Sequence, residues 1–289
     1  MSSKFQLAEN RYGKTRVRLV KVTRHAHGPN QISDMYEWNV RVLLRGDFKT
    51  AHTEGDNSKI LATDTMKNTV YYVAGRSKAT SMEDYAKELV DFLLGRNPQV
   101  SSAEVHIESV LWKRLTVDGK PHPDSFMRGS DEKQTTTVER AQGGDFAITS
   151  GLADLVIMKT ANSAFTGYIK ESLTTLKETT DRLFATSLSA SWTYTSDDLN
   201  FNAERTKLRE AMLKTFAAHI SLSVQQTLYA MAGSALEAAP SVSEIELTMP
   251  NKHNILIDLE RFGQANPNEI FVPTDEPSGF IQATVKRTA

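Results

Sequence analysis

The sequence predicts an α+β protein made of two ββααββ halves, each an antiparallel sheet with its helices on one face. Three observations lead there. Apolar residues alternate with a period of two through several long segments, the mark of half-buried antiparallel strands. Pairs of helix-like segments interrupt these runs. The same order of elements then recurs about 140 residues later, which divides the chain into residues 1–140 and 141–289.

In the first half, residues 15–23 and 35–48 read as strands, the second with Tyr36, Trp38, Val40, Val42 and Leu44 on one face. Residues 64–74 and 81–94 read as helices. Ser81 with Asp84 resembles a capping box, Leu89, Val90 and Leu93 form an apolar stripe, and Gly95 is placed to end the helix. Strand pattern returns over residues 100–117 and 132–139, while the Pro and Gly punctuation of residues 121–144 reads as a domain boundary.

The second half repeats this order. Leu19-Val20-Lys21-Val22 matches Leu155-Val156-Ile157-Met158, Met66-Lys67-Asn68-Thr69 matches Met212-Leu213-Lys214-Thr215, and Ala103 to Glu108 matches Ser243 to Thr248. A second helix pair is read at 203–219 and 222–236. Residues 245–259 then read as one long strand, with Ile245, Leu247 and Met249 before Pro250 and Ile255, Ile257 and Leu259 after it. That phase puts Asn251 and His253 on the buried face and Lys252 on the other. An amide and an imidazole there are either a hydrogen-bonded core pair or the lining of a pocket.

Composition narrows the function classes. The chain has 289 residues, 39% hydrophobic and 24% charged, ordinary for a globular protein with a real core. A net charge of -1 offers no bulk attraction to nucleic acid or to an anionic membrane, so neither is expected as a partner. No run has signal-peptide or membrane-spanning character, and a cytoplasmic location is expected. The absence of cysteine removes disulfides, thiolate chemistry and cysteine-bound metal. His25 and His27 lie close together, but in a loop-like segment without a carboxylate, and no metal is expected there. Phosphate-loop, dinucleotide and nucleophile-elbow motifs are missing, so no cofactor is expected. Two antiparallel sheets leave edge strands that invite pairing with another copy, which points to a homo-oligomer with sites at its interfaces.

Several polar clusters have both a structural and a chemical reading. Lys14, in Arg11-Tyr12-Gly13-Lys14, is a solvated flank or a base held in a dry interface. Thr63 and Asp64 either cap a helix or mark a helix start that presents N–H groups to an anion. Phe165 is packing or a surface for a flat heterocycle. Arg182, at the end of Thr174 to Arg182, could clamp a planar anion with its fork.

These clusters, with Ser223-Val224-Gln225 and Asn251-Lys252-His253, occur in an order that resembles the urate oxidase family. Particularly close are Asn10 to Lys14, Ala62 to Thr69, Asp118 to Phe126, Leu173 to Arg182 and Met249 to His253. The resemblance implies a tandem tunnelling fold (T-fold), two ββααββ units per chain assembling as a homotetramer into a barrel with a central tunnel. It implies oxidation of urate by dioxygen and water to 5-hydroxyisourate and hydrogen peroxide, without cofactor or metal. Carried onto this chain, it makes Lys14, Thr63 and His253 a proton relay. Arg182 and Gln225 grip the purine edge and Phe165 stacks on its face. The N–H groups of Asp64 and Val224 hold remaining polar atoms, Asn251 lies above the ring where dioxygen and water sit, and Ile281 lines the apolar wall. Lys14 and Thr63 would come from one subunit, and Phe165, Arg182, Val224, Gln225, Asn251 and His253 from its neighbour.

The chain departs from the family pattern in a short segment between Trp192 and Phe201, in Thr166 and Tyr168 beside Phe165, and in ending Lys286-Arg287-Thr288-Ala289 rather than with a peroxisomal address. Two other readings remain: a tunnelling-fold enzyme acting on a pterin, and a purine-binding homologue that keeps the clamp without the chemistry.

Overall fold

A computed structural model describes residues 4–25 and 32–288. His27 lies outside the described residues. The chain divides into two compact units, Met1–Ser150 and Gly151–Ala289, each taken below by itself.

In the first unit the strands β1 (Tyr12–Arg24), β2 (Ser33–Gly46), β3 (Val100–Val117) and β4 (Lys120–Ala141) lie in the order β1-β2-β3-β4, and all neighbours are antiparallel. Between β2 and β3 come a short α1 (Lys49–Thr53) and the helices α2 (Thr63–Arg76) and α3 (Met82–Arg96). Alternation fixes which sheet face the helices cover: Trp38, Val40, Val42 and Leu44 are at most 1% exposed, and Met66 and Val70 of α2 and Tyr85, Leu89 and Val90 of α3 are as deeply buried. Trp38 stacks on Tyr85 with ring centroids 5.0 Å apart, and the Tyr85 phenol donates to the Val70 carbonyl at 2.8 Å. Burying each such side chain contributes about 1.5–3 kcal/mol.

Local sequence sets the element ends. Ser81 caps α3, its hydroxyl accepting from the Asp84 amide at 3.1 Å and donating to the Asp84 carboxylate at 2.6 Å. The start of α2 is different. Ala62 occupies its cap position, where its methyl group can accept no hydrogen bond, and Thr63 and Asp64 are the first two helical residues rather than the cap. The boundary expected over residues 121–144 is instead almost wholly strand β4. Asp118 and Gly119, both with positive φ, make a two-residue turn that suits a tight hairpin, and the prolines follow at the start of the strand, where pairing tolerates them.

The second unit holds the rest of β5 (Phe146–Lys159), then β6 (Phe184–Tyr194), α4 (Phe201–Ala218), α5 (Val224–Ala238), β7 (Val242–Thr248), β8 (Asn251–Leu256), β9 (Phe271–Gly279) and β10 (Gln282–Lys286). Its sheet runs β5-β6-β7-β10, while β8 pairs with both β6 and β9. Trp192, Leu188, Ile245 and Leu247 form the strand side of its core, and Leu208, Met212, Leu228 and Met231 the helix side. The strand expected across residues 245–259 breaks at Met249-Pro250. Ile245, Leu247 and Met249 are buried as the alternation requires, but Ile255 is 54% exposed and His253 is exposed too. Proline cannot donate to the ladder, and beyond it the chain continues along β6 in the same register as β8, while the neighbour on its other side changes from β10 to β9.

The repeat is more exact in structure than in sequence. Arg16 and Asp154 both adopt left-handed φ, at 58° and 59°, and each precedes a buried residue, Val17 and Leu155. At the same spacing, Lys21 donates to the carbonyl of Ser77 at the end of α2, and Lys159 to that of His219 at the end of α4. This register differs by two residues from the match of Leu19 with Leu155. A shift of two keeps side chains on the same face, which is why apolar pattern alone does not separate the two registers. In both units the other sheet face shows apolar residues, Val20 and Val22 on β1 and Val156 and Met158 on β5.

Candidate active site

In the second unit, three segments are tied together by backbone hydrogen bonds around Phe165. The Phe165 and Thr179 backbones exchange hydrogen bonds at 2.8 and 3.2 Å, the Arg182 amide donates to the Ser163 carbonyl at 2.9 Å, and the Ala164 amide donates to the Ser221 carbonyl at 2.7 Å. Ser223 caps α5 two residues beyond Ser221, its hydroxyl accepting from the Gln226 amide at 3.1 Å. Thus main-chain hydrogen bonds hold Phe165, Arg182 and the first turn of α5 near one another. Val224 is buried, while Gln225, next along the helix, is exposed.

A cavity of about 800 Å³ opens here, lined by Phe165, Arg182, Asn251 and His253 together with Thr179 and Thr274. The Arg182 guanidinium lies 5.3 Å from the centroid of the Phe165 ring. Among the described residues it has no ion-pair partner, its Nε is buried without a hydrogen bond, and burial pushes its pKa below the usual arginine value. A half-buried cation with free donors beside an aromatic face has the chemistry to pair with a planar anion.

Asn251 and His253 sit on β8, opposite Gly279 and Thr274 of β9. The Thr274 hydroxyl donates to the His253 carbonyl at 3.2 Å. Lys252 also contributes to the lining of the cavity. Ile281 is outside the lining, but its carbonyl accepts from the Met249 amide at 2.8 Å, and its Cδ1, like Asn251 Cβ, lies 3.6 Å from where a Cβ on Gly279 would stand.

The first unit carries the other candidates. Lys14 on β1 pairs with Val42 of β2 just before a bulge. Thr63 is exposed at the first position of α2. The Asp64 carboxylate accepts from Lys67 and, at 3.1 Å, from Asn68. Its pKa is lowered first by the Lys67 hydrogen bond and charge, and Lys14 is near enough to add to the effect. His25, read as half of a weak metal pair, meets Asp34 at 2.7 Å. Among the described residues no group of three His, Cys, Asp or Glu side chains could hold a metal.

Sequence reasoning passed over Asp181 and Glu178. Asp181 accepts from the Asn162 amide at 3.0 Å and Glu178 from the Gly167 amide at 3.0 Å, so both shape the loop that carries Phe165. Charged residues in a polar loop give no pattern that would single them out.

Two ββααββ units, with antiparallel strands covered by helices on one face, make this a tunnelling-fold protein. The uricase family model matches residues 10–139 and 148–282. The chain is 40% identical to the uricase of Arthrobacter globiformis over 285 residues, 99% of this chain and 91% of that one. It is 38% identical to the uricase of Dictyostelium discoideum over 284 residues, 98% of each. The crystal structure of the Arthrobacter globiformis uricase superposes with a TM-score of 0.92 at 39% identity, covering 99% of this chain and 96% of that one. The chain belongs to the uricase family.

Proposed function

We propose that this protein is a urate oxidase, converting urate, dioxygen and water to 5-hydroxyisourate and hydrogen peroxide. The observation that carries the reading is the desolvated, unpaired Arg182 beside Phe165 in a cavity that also holds Asn251 and His253. Urate is a flat anion with alternating carbonyls and N–H groups. The Arg182 fork matches its charge and edge, the Gln225 amide offers a donor and an acceptor, and Phe165 provides a stacking face. The N–H groups of Val224 and Asp64, each in the first turn of a helix, suit acceptor atoms of the ring, and Ile281 adds apolar wall.

Lys14, Thr63 and His253 form the proton relay in this reading. A hydroxyl is too weak a base alone and needs an amine behind it. Once deprotonated, urate supplies both electrons itself, so the protein contributes proton removal, positioning and exclusion of bulk water. Asn251 holds dioxygen and then water above the ring. Because the relay lysine and threonine belong to the first unit and the clamp to the second, a homotetramer in which neighbouring subunits complete each site fits the assignment. The exposed apolar residues on β1 and β5 supply a surface for such pairing. The cytoplasm is the proposed location, checked by cell fractionation.

The test is the ultraviolet absorbance of urate in air with metal-stripped protein, and peroxide assayed alongside. Loss of urate with equimolar peroxide is the expected result. Binding without loss would leave a purine-binding homologue, and absence of binding would turn attention to pterins.

A further inference from the structure

Phe165 lies on a half-exposed segment outside any helix or strand, a weak place from which to hold a ring plane. Gly167 adopts φ 71° and reverses the chain immediately after it. That reversal folds Tyr168 back onto Phe165, and the two rings lie 4.9 Å apart at 13°, a parallel stack. The Tyr168 phenol in turn donates to the Leu176 carbonyl at 2.6 Å, which fastens the second ring to the far side of the loop. Lys170 Nζ lies 5.9 Å from its centroid.

From this geometry we propose that Tyr168 is a positioning residue for substrate, a backing plate that fixes the plane of Phe165 and leaves one of its faces for the purine. The proposal rests on the reading of Phe165 as the stacking surface and adds the residue that makes that surface rigid. A lone phenylalanine can turn about χ1 and χ2, and each turn removes the face a heterocycle needs. A second ring parallel to it, held by its own hydroxyl, removes that freedom before substrate arrives, so less ordering is left for the binding step. The phenol also places a dipolar, electron-rich ring behind Phe165, and aromatic pairs of this geometry stabilise by more than their buried area alone.

The test is a cycle of Tyr168→Leu and Phe165→Leu on the assembled protein, with Tyr168→Phe as the conservative variant. The readouts are calorimetric affinity for xanthine, an oxopurine lacking the 8-oxo group, and KM and kcat for urate. Tyr168→Leu is expected to weaken xanthine binding and raise KM by about two- to tenfold, with kcat at saturating urate maintained. Tyr168→Phe, which keeps the ring but loses the tether to Leu176, is expected to recover part of the loss. In the Phe165→Leu background the same Tyr168→Leu change is expected to do nearly nothing, because there is no ring left to position. An equal loss in both backgrounds, or no loss when Phe165 is present, overturns the role of Tyr168 and leaves the urate assignment standing. If Phe165→Leu alone changes neither xanthine affinity nor KM, the stacking role of Phe165 falls, and that of Tyr168 with it.

Discussion

Tyr12 and Leu61 exchange two hydrogen bonds: the Leu61 amide donates to the phenol oxygen at 2.8 Å, and the phenol donates to the Leu61 carbonyl at 3.1 Å. The Tyr12 ring also packs edge-on against Phe48 at 4.8 Å, and its burial raises the phenol pKa. Lys14 lies two residues beyond Tyr12 and Thr63 two beyond Leu61. The pair therefore ties together the two segments that carry the proposed relay residues Lys14 and Thr63.

Tyr12→Phe keeps the ring and removes the hydroxyl, leaving an amide and a carbonyl of Leu61 without their partner. The expected loss of stability is about 1–3 kcal/mol, read from urea denaturation. Turnover is expected to fall by about tenfold, a barrier change of about 1.4 kcal/mol, while xanthine affinity stays the same. Equal falls in affinity and turnover would mean that the tyrosine supports the whole site and not the relay.

Gly13 and Gly75 respond oppositely to the same substitution. A Cβ at Gly13 would stand 1.8 Å from the Val42 carbonyl oxygen, so Gly13→Ala must push β1 off β2 beside Lys14. A loss of roughly 1–3 kcal/mol or more is expected, with activity lost alongside. At Gly75, inside α2, nothing lies within 4 Å of the added methyl. Gly75→Ala is expected to stabilise by about 0.5–1 kcal/mol, seen as a higher thermal midpoint with unchanged kcat.

In the proposed reaction Lys14 serves the chemistry and Arg182 the binding, and the two roles predict different losses. Lys14→Met is expected to lower kcat by about 10²–10⁴-fold, the range of general base catalysis, with xanthine still bound. Arg182→Ala is expected to weaken xanthine binding and raise KM by about 10- to 100-fold through lost charge-assisted hydrogen bonds. Arg182→Lys should rescue little, since an ammonium lacks the planar fork. Full activity in Lys14→Met would remove lysine from the relay.

The strands, both helix pairs and the repeat were legible because periodicity and caps are local: Trp38 to Leu44 alternate, and Ser81 precedes Asp84 by the capping distance. The end of the long strand at Pro250 was not legible. A proline can sit at a strand's edge or break it, and what decides is that the neighbour opposite β6 changes there from β10 to β9, a tertiary fact. Likewise the sequence marked Phe165 and Arg182 as chemically apt, but their approach depends on Ser163, Ser221 and Thr179 bonding through the main chain, and backbone contacts leave no residue signature.

Glu178 makes the loop around Phe165 sensitive to acid. The Gly167 amide donates to its carboxylate at 3.0 Å and Lys170 pairs with it at 3.2 Å, and these two contacts, the amide first, hold its pKa below the usual carboxylate value. Since the folded pKa is the lower one, the contribution is complete above the pKa of the unfolded chain and is lost as pH falls through the folded value. Hydrogen exchange of the Gly167 region, corrected for its intrinsic pH dependence, should therefore show constant protection at neutral pH and a decline only below the ordinary carboxylate range. Glu178→Gln, which cannot ionise, should exchange faster at pH 7 and lose that acid-dependent step. The stack of Tyr168 on Phe165 spans the same turn, so the variant should also bind xanthine more weakly at neutral pH. A wild-type decline at the same pH as in Glu178→Gln would assign the acid step to another carboxylate.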